Sequence, residues 1–215
     1  MISKSNNFQI TKSTHLQISQ SPNQIITMLH IPEIDKSWTL FLDRDGVINY
    51  EKEKDYIHTW DEFRFYPGAM ESFSFFSKKF HRIIIVTNQK GVGKGLTKLE
   101  DLHTIHANMQ HEIEKAGGHV DAVYYCSDLD NESPFRKPNP GMGLQAAKQF
   151  PDINLKKSIM VGNNLSDMEF GRNLGMFTVF LLTTNPGLPL PDERVDLVFT
   201  DLNAFSHALQ AETIR

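Results

Sequence analysis

The residues best equipped for chemistry lie in the run Thr39-Leu40-Phe41-Leu42-Asp43-Arg44-Asp45-Gly46-Val47-Ile48-Asn49. A short apolar stretch ends in two carboxylates spaced i, i+2, and then a glycine. Alternate residues of an extended strand share a face. Asp43 and Asp45 are therefore expected to project together beyond the strand's carboxyl end, with Arg44 pointing away. In open α/β sheets that end is where ligands bind. Two acids there suit a carboxylate nucleophile with an acid/base partner, and equally a divalent cation. A strand running out into a polar turn would read the same way, so the weight falls on what recurs downstream.

Three further segments recur in the same position. Ile83-Ile84-Ile85-Val86 ends in Thr87-Asn88-Gln89, a third apolar run is followed by Arg136-Lys137-Pro138, and a fourth by Gly162-Asn163-Asn164-Leu165-Ser166-Asp167. Taken singly, the Thr suits a turn, the Lys a solvated loop, and the Asp a helix cap. Four such segments, each at the carboxyl end of an apolar run, read as one site.

The elements that must hold them follow from periodicity. Buried strands are predicted over Thr39–Leu42, Ile83–Thr87, Ala122–Tyr125, Ile159–Val161 and Thr178–Leu182, with a short last one over Val195–Phe199. Helical patterns cover Ala69–Phe80, Leu99–Lys115, Leu144–Phe150, Asp167–Leu174 and Leu202–Glu212. Strand–helix alternation implies a doubly wound, Rossmann-like, mostly parallel α/β sheet with helices on both faces. About 44 residues separate Asp43 from Thr87 and about 50 separate Thr87 from Lys137, which a helix and a strand largely consume, so no large cap domain is expected. Residues 1–33 form a polar arm, and the compact domain is expected over 34–215.

Composition excludes several classes. The chain has 215 residues, 40% of them hydrophobic and 22% charged, as in an ordinary globular protein. A net charge of −4 gives no basic face for nucleic acid. The single Cys126 cannot build a disulfide framework or a multi-cysteine zinc site. No long apolar span or signal-like start is present, so a cytoplasmic protein without a membrane partner is expected.

The motif set resembles the haloacid dehalogenase superfamily of phosphotransferases. Within it, Asp-Arg-Asp-Gly-Val-Ile-Asn, Thr-Asn-Gln-x-Gly-Val-Gly-Lys-Gly and Arg-Lys-Pro-x-Pro-Gly-Met are similar to the heptose-bisphosphate and histidinol-phosphate phosphatases. The resemblance implies Asp43 as nucleophile and Asp45 as acid and then base. It implies Thr87 and Lys137 as stabilisers of the transferring phosphoryl group. Mg²⁺ is implied as cofactor, with Asp43, Asp45, Asn163 and Asp167 as the metal set. The substrate is expected to be a small phosphorylated sugar, contacted by Asn49, Tyr56, Asn88, Gln89, Lys90 and Arg136. A monomer is expected.

The chain departs from the family pattern at three places. Asn163 stands where the family places a metal-binding acid; its amide oxygen can coordinate but carries no charge. The loop after the third strand lacks the cysteines that hold zinc in many relatives, so no zinc is expected. Lys90 stands where close relatives carry Ser. A weakly active or inactive binding protein is the alternative that Asn163 raises. Gly91-Val92-Gly93-Lys94-Gly95 fits neither a P-loop nor a dinucleotide fingerprint and is expected to be a flexible substrate-facing loop. His103 and His106 share a helix at i, i+3, and are expected to be solvated or partly buried rather than metal ligands.

Overall fold

The computed structural model describes residues 31–213. The arm expected over residues 1–33 therefore lies, through residue 30, outside the described residues. Six strands form one parallel sheet: β1 (Thr39–Leu42), β2 (Arg82–Asn88), β3 (Ala122–Cys126), β4 (Ser158–Gly162), β5 (Phe177–Leu181) and β6 (Leu197–Phe199). Their order is β3-β2-β1-β4-β5-β6. The winding reverses between β1 and β4, which opens a crevice at their carboxyl ends. Leu42 is level with Ile85 on β2 and Val161 on β4. Asp43 and the residues after β4 consequently emerge beside the last residues of β2, which runs on through Thr87 to Asn88.

Among the described residues, six α-helices connect and cover the strands: α1 (Ala69–Lys79), α2 (Lys90–Gly93), α3 (Leu99–Lys115), α4 (Gly141–Gln149), α5 (Leu165–Asn173) and α6 (Leu202–Thr213). Leu40, Leu42, Ile83 and Ile85 pack against Phe73 and Phe76 of α1, Ile105 and Met109 of α3, and Phe205 of α6. Phe41, Ile84, Val86 and Met160 face the other way, toward Met142 and Ala146 of α4 and Phe170 of α5. A strand buried on both faces needs continuous rather than alternating hydrophobicity, which is what Leu40-Phe41-Leu42 supplies. No helix among the described residues is long and apolar enough to cross a membrane.

Two expectations are corrected here. The glycine-rich segment after β2 is not a loose loop: Lys90–Gly93 is helical, and the Gly91 carbonyl accepts from the backbone N–H groups of both Leu96 and Thr97. Gly91 is there because Tyr56 and Thr97 crowd it; a Cβ would lie 2.7 Å from the Thr97 hydroxyl. The fourth helix starts at Gly141, after Pro140, rather than at Leu144. Pro140 has the backbone angles of a helical turn, so the glycines behind it extend the helix instead of ending it.

Candidate active site

Asp43 is the first residue beyond β1. Its backbone N–H still donates to Val161 on β4, so the carboxyl group is anchored where the sheet ends. Lys137 Nζ lies 2.9 Å from Asp43 Oδ1 and 2.7 Å from Asp167 Oδ1, and donates to the Val86 carbonyl at 2.8 Å. All three ammonium protons are thereby directed. The side chains of Lys137 and Asp167 are each only 1% exposed. Burial pushes the Asp43 carboxyl up to about 7; Lys137 opposes the rise and the Asp167 charge adds to it. Burial alone would depress the Lys137 ammonium, but the two carboxylates hold it above the usual lysine value.

The backbone of Lys137 is fixed separately. Asn88 Oδ1 accepts from the Lys137 N–H at 3.0 Å and its Nδ2 donates to the Lys137 carbonyl at 3.1 Å. Asp167 has two tasks. Besides pairing with Lys137, its Oδ2 accepts from the Asn164 N–H at 3.0 Å and closes the start of α5. Gly162 leaves it room, since a Cβ there would sit 2.2 Å from Asp167 Cβ.

Arg44 is not among the residues that line the face shared by Asp43 and Asp45, but strand alternation is not the reason, and it bonds Asp45 from behind. The strand ends at Leu42, and the chain then turns through Gly46, whose φ is +77°. Strand alternation has no force in that turn, and Arg44 folds back onto its neighbour. Its Nη2 donates to both oxygens of Asp45 at 2.8 Å. Asn49 Nδ2 and Gln89 Nε2 each add a bond to the same carboxylate at 2.9 Å. Burial would raise the Asp45 pKa, but the Arg44 charge and these hydrogen bonds hold it below the ordinary value. Behind it, the fully buried Arg44 places Nη1 3.1 Å from Nε2 of His106 on α3. A guanidinium only donates, so the His106 ring is neutral and accepts through Nε2. Burial and then the Arg44 charge press its pKa down to about 3. His103 turns instead to the Tyr125 hydroxyl at 3.1 Å, so the two histidines do not converge.

These groups border a cavity of about 240 Å³, lined by Asp43, Asp45, Thr87, Lys137 and Asp167 with Glu51, Asn88, Arg136, Asn164 and Ser166. The expected residues Asp43, Asp45, Thr87, Asn88, Arg136, Lys137 and Asp167 thus come together. Asn49 and Gln89 sit behind the cavity as clamps on Asp45, and Gln89 also donates to the Thr87 hydroxyl at 2.9 Å. Tyr56 packs on α2, with Lys94 Nζ 5.5 Å from its ring centre, and Lys90 opens that helix. Neither Tyr56 nor Lys90 is among the cavity-lining residues. Asn163 is fully buried beneath Gly46, and its Nδ2 donates to the Thr184 hydroxyl at 2.7 Å. Its Oδ1 meets only Asn164 Nδ2, at 3.4 Å.

Sequence reasoning passed over Glu51, Asn164 and Ser166. Asn164 and Ser166 lay inside a recognised motif and were legible. Glu51 lies in the loop 49–56, one of three short loops that the sequence offers for choosing a substrate, but no spacing or motif singles it out within Tyr50-Glu51-Lys52-Glu53-Lys54.

A parallel sheet in this order, with an aspartate beyond its first strand facing a lysine, a threonine and a second acid from the strands beside it, is the architecture of a haloacid dehalogenase-like phosphatase. The chain belongs to the family described as polynucleotide kinase 3 phosphatase, whose family model matches residues 36–183. It is 38% identical over 138 residues to the D-glycero-alpha-D-manno-heptose-1,7-bisphosphate 7-phosphatase of Mycobacterium bovis, a match spanning 64% of this chain and 73% of the relative. It is 34% identical to the D-glycero-beta-D-manno-heptose-1,7-bisphosphate 7-phosphatase of Pseudomonas aeruginosa, spanning 79% of this chain and 96% of that one. Among solved structures, the D,D-heptose 1,7-bisphosphate phosphatase from B. bronchiseptica, complexed with magnesium and phosphate, superposes with a TM-score of 0.73. That match has 27% identity and covers 81% of this chain and 99% of that one.

Proposed function

We propose that this phosphatase removes a phosphate from a heptose bisphosphate through an aspartyl-phosphate on Asp43, with Mg²⁺ as cofactor. The observation that carries the reading is the Asp43–Lys137–Asp167 arrangement at the floor of a polar cavity beside Thr87. An Asp43 oxygen attacks phosphorus, the ester bond to the sugar oxygen breaks, and that oxygen takes a proton from Asp45. Water then attacks the same phosphorus, Asp45 takes the water's proton, and Asp43 is released with inorganic phosphate. Thr87 and Lys137 bear on the phosphoryl oxygens as charge shifts. As held, Asp45 is ionised and suited to the second step. To serve the first it must turn from Arg44 toward the cavity and carry a proton.

The residues present fit a hard divalent cation. The site offers oxygen donors only, and burial, with the Asp167 and Asp45 charges adding to it against Lys137, raises the Asp43 carboxyl to about 7, a cost that a bound cation would offset. Asp43 and the amide oxygen of Asn163 would hold the ion. The Asp45 carboxylate is committed to Arg44, Asn49 and Gln89, and the Asp167 carboxylate to Lys137 and the Asn164 N–H. When bound, Mg²⁺ offsets the repulsion between the Asp43 carboxylate and the phosphate dianion.

The family description names a polynucleotide, but the net charge of −4 and a cavity whose only lining cations are Arg136 and Lys137 favour a small substrate. The matched relatives act on both anomers, so the anomer is not part of the proposal. Histidinol phosphate is the second reading: its ammonium, like a sugar hydroxyl, could donate to the Glu51 carboxylate that lines the cavity. We place the protein in the cytoplasm as a monomer without zinc. Cys126 is buried, and its thiol meets the Ser133 hydroxyl at 3.9 Å rather than a cluster of ligands. Phosphate release from sugar phosphates and histidinol phosphate, with and without Mg²⁺, tests the reading. Mg²⁺-dependent turnover preferring heptose bisphosphate is expected; preference for histidinol phosphate would overturn the substrate, and full activity in chelator would overturn the cofactor.

A further inference from the structure

Among the described residues, Glu51 is the one charged group of the cavity wall with no hydrogen bond or ion pair. Asp43 and Asp167 are tied to Lys137, and Asp45 to Arg44. Arg136 donates to the Asp128 carbonyl at 3.2 Å and toward Asn131 Oδ1 at 3.4 Å. Glu51 lines the same cavity, half-buried, and makes no hydrogen bond or ion pair among the described residues. A free carboxylate beside a phosphate site is a liability, because it repels the dianion that must enter. It is tolerable where it faces the part of the substrate that is not phosphate. An ionised carboxylate only accepts hydrogen bonds, from hydroxyl or ammonium donors. Arg136, with donors to spare and no carboxylate partner among the described residues, is where a second anion would be drawn.

We propose that Glu51 is a specificity-determining residue that accepts hydrogen bonds from the hydroxyl groups of a polyhydroxylated leaving group, selecting sugar phosphates over esters without hydroxyl donors. This rests on the phosphatase reading above and names the feature of the substrate that the site reads. Its tolerance of substitution follows from the same geometry. Glu51 has no partner to orphan, so its removal leaves no buried group unsatisfied.

The test compares wild type, Glu51→Ala and Glu51→Gln, each first shown to melt as wild type does. The substrates are D-glycero-D-manno-heptose 1,7-bisphosphate, histidinol phosphate and p-nitrophenyl phosphate. A hydrogen bond to a charged group decides about a tenfold preference or more. The ratio of kcat/KM for the sugar to that for the aryl ester should fall at least ~tenfold in Glu51→Ala and less than ~threefold in Glu51→Gln, whose amide oxygen still accepts. A wild type that prefers the sugar while Glu51→Ala prefers it equally overturns the role of Glu51 and leaves the phosphatase reading standing. Equal losses in the Ala and Gln variants, concentrated on histidinol phosphate, would show that Glu51 reads a positive charge and overturn the polyol assignment. A wild type that hydrolyses the aryl ester but not the sugar overturns the substrate reading and this inference together.

Discussion

Asp43 carries the electrostatic cost of the site and, on the proposed mechanism, its chemistry. Replacing it with Asn keeps the shape but removes the nucleophile, so turnover should fall at least ~1,000-fold, more than ~4 kcal/mol of barrier. The fold should survive, because burial disfavours the Asp43 charge and the amide carries none. For a carboxyl raised from 3.8 to about 7, the folded state holds a proton that the unfolded state has lost, so stability falls as pH rises through that window. Asp43→Asn should therefore melt no lower than wild type at pH 8 without metal, and a large drop would show that the Lys137 contact outweighs burial. Asn163 sets the other side of the balance. Asn163→Asp adds an acid in a fully buried position, where the Thr184 hydroxyl can donate to it. Like-charge repulsion should lower the melting temperature of the metal-free variant, and Mg²⁺ should raise it by more than in wild type. The half-saturating Mg²⁺ in a titration followed by melting should drop at least ~threefold. An unchanged or higher value would show that Asn163 is not a weakened metal ligand.

Helix α3 docks through its apolar face and also meets Arg44 through His106, a contact that brings a titratable group into the packing. The folded-state pKa is depressed to about 3 from 6.5, so folding excludes a proton that the unfolded chain binds. The neutral ring's contribution is complete above the unfolded value and is lost progressively as pH falls from 6.5 toward 3. Between pH 7 and pH 5 this group should cost on the order of 2 kcal/mol, against the gain that Asp43 supplies over the same window. His106→Gln, which keeps an acceptor for Arg44 but does not titrate, should lack that cost, so its stability relative to wild type, read from urea denaturation, should rise by about 2 kcal/mol from pH 7 to pH 5; an unchanged difference would show that His106 does not carry it. Gly162→Ala is a second element-scale test. The added Cβ would overlap Asp167 where it caps α5, and should cost about 2 kcal/mol or more together with most of the activity. How far such features could be read from the sequence depends on their range. Strands β1 to β6 were legible because their apolar runs are bounded by polar turns. The α2 turn and the early start of α4 were not, because both rest on glycines whose neighbours, Tyr56 and Thr97 for one and Pro140 for the other, decide whether they extend a helix or end it. The Arg44 clamp was hidden for a similar reason: strand periodicity was carried one turn past the strand's real end.

At the scale of the whole molecule, the site works without a cap because the winding order supplies the crevice. The reversal between β1 and β4 sets Asp43 on one side and Asn164, Ser166 and Asp167 on the other, with Asn163 buried beneath, while β2 brings Thr87 alongside. The aspartates of the cavity were legible because four short segments recur at strand ends in a fixed order. The selective part was less so, since loops such as the one bearing Glu51 carry no periodicity to read. The same reasoning bears on how much of the chain the enzyme needs. Ile34 and Trp38 are buried in the larger core cluster and Ile31 packs against it, so the described residues seal that face from the chain's own entry point. The Trp38 carbonyl is bonded by the His81 N–H at 2.8 Å, which fixes the approach to β1 independently of what precedes residue 31. The family match likewise begins at residue 36. A chain starting at His30 is therefore expected to melt within ~3 °C of the full protein, a difference below about 1 kcal/mol at this size. Its kcat/KM should stay within about twofold. A melting temperature lower by ~8 °C or more, or a tenfold loss of kcat/KM, would show that the first 29 residues complete the core or the site. Separating the two losses would say which: lost stability with intact turnover points to the core face beside Ile31, and lost turnover with intact stability to the crevice between β1 and β4.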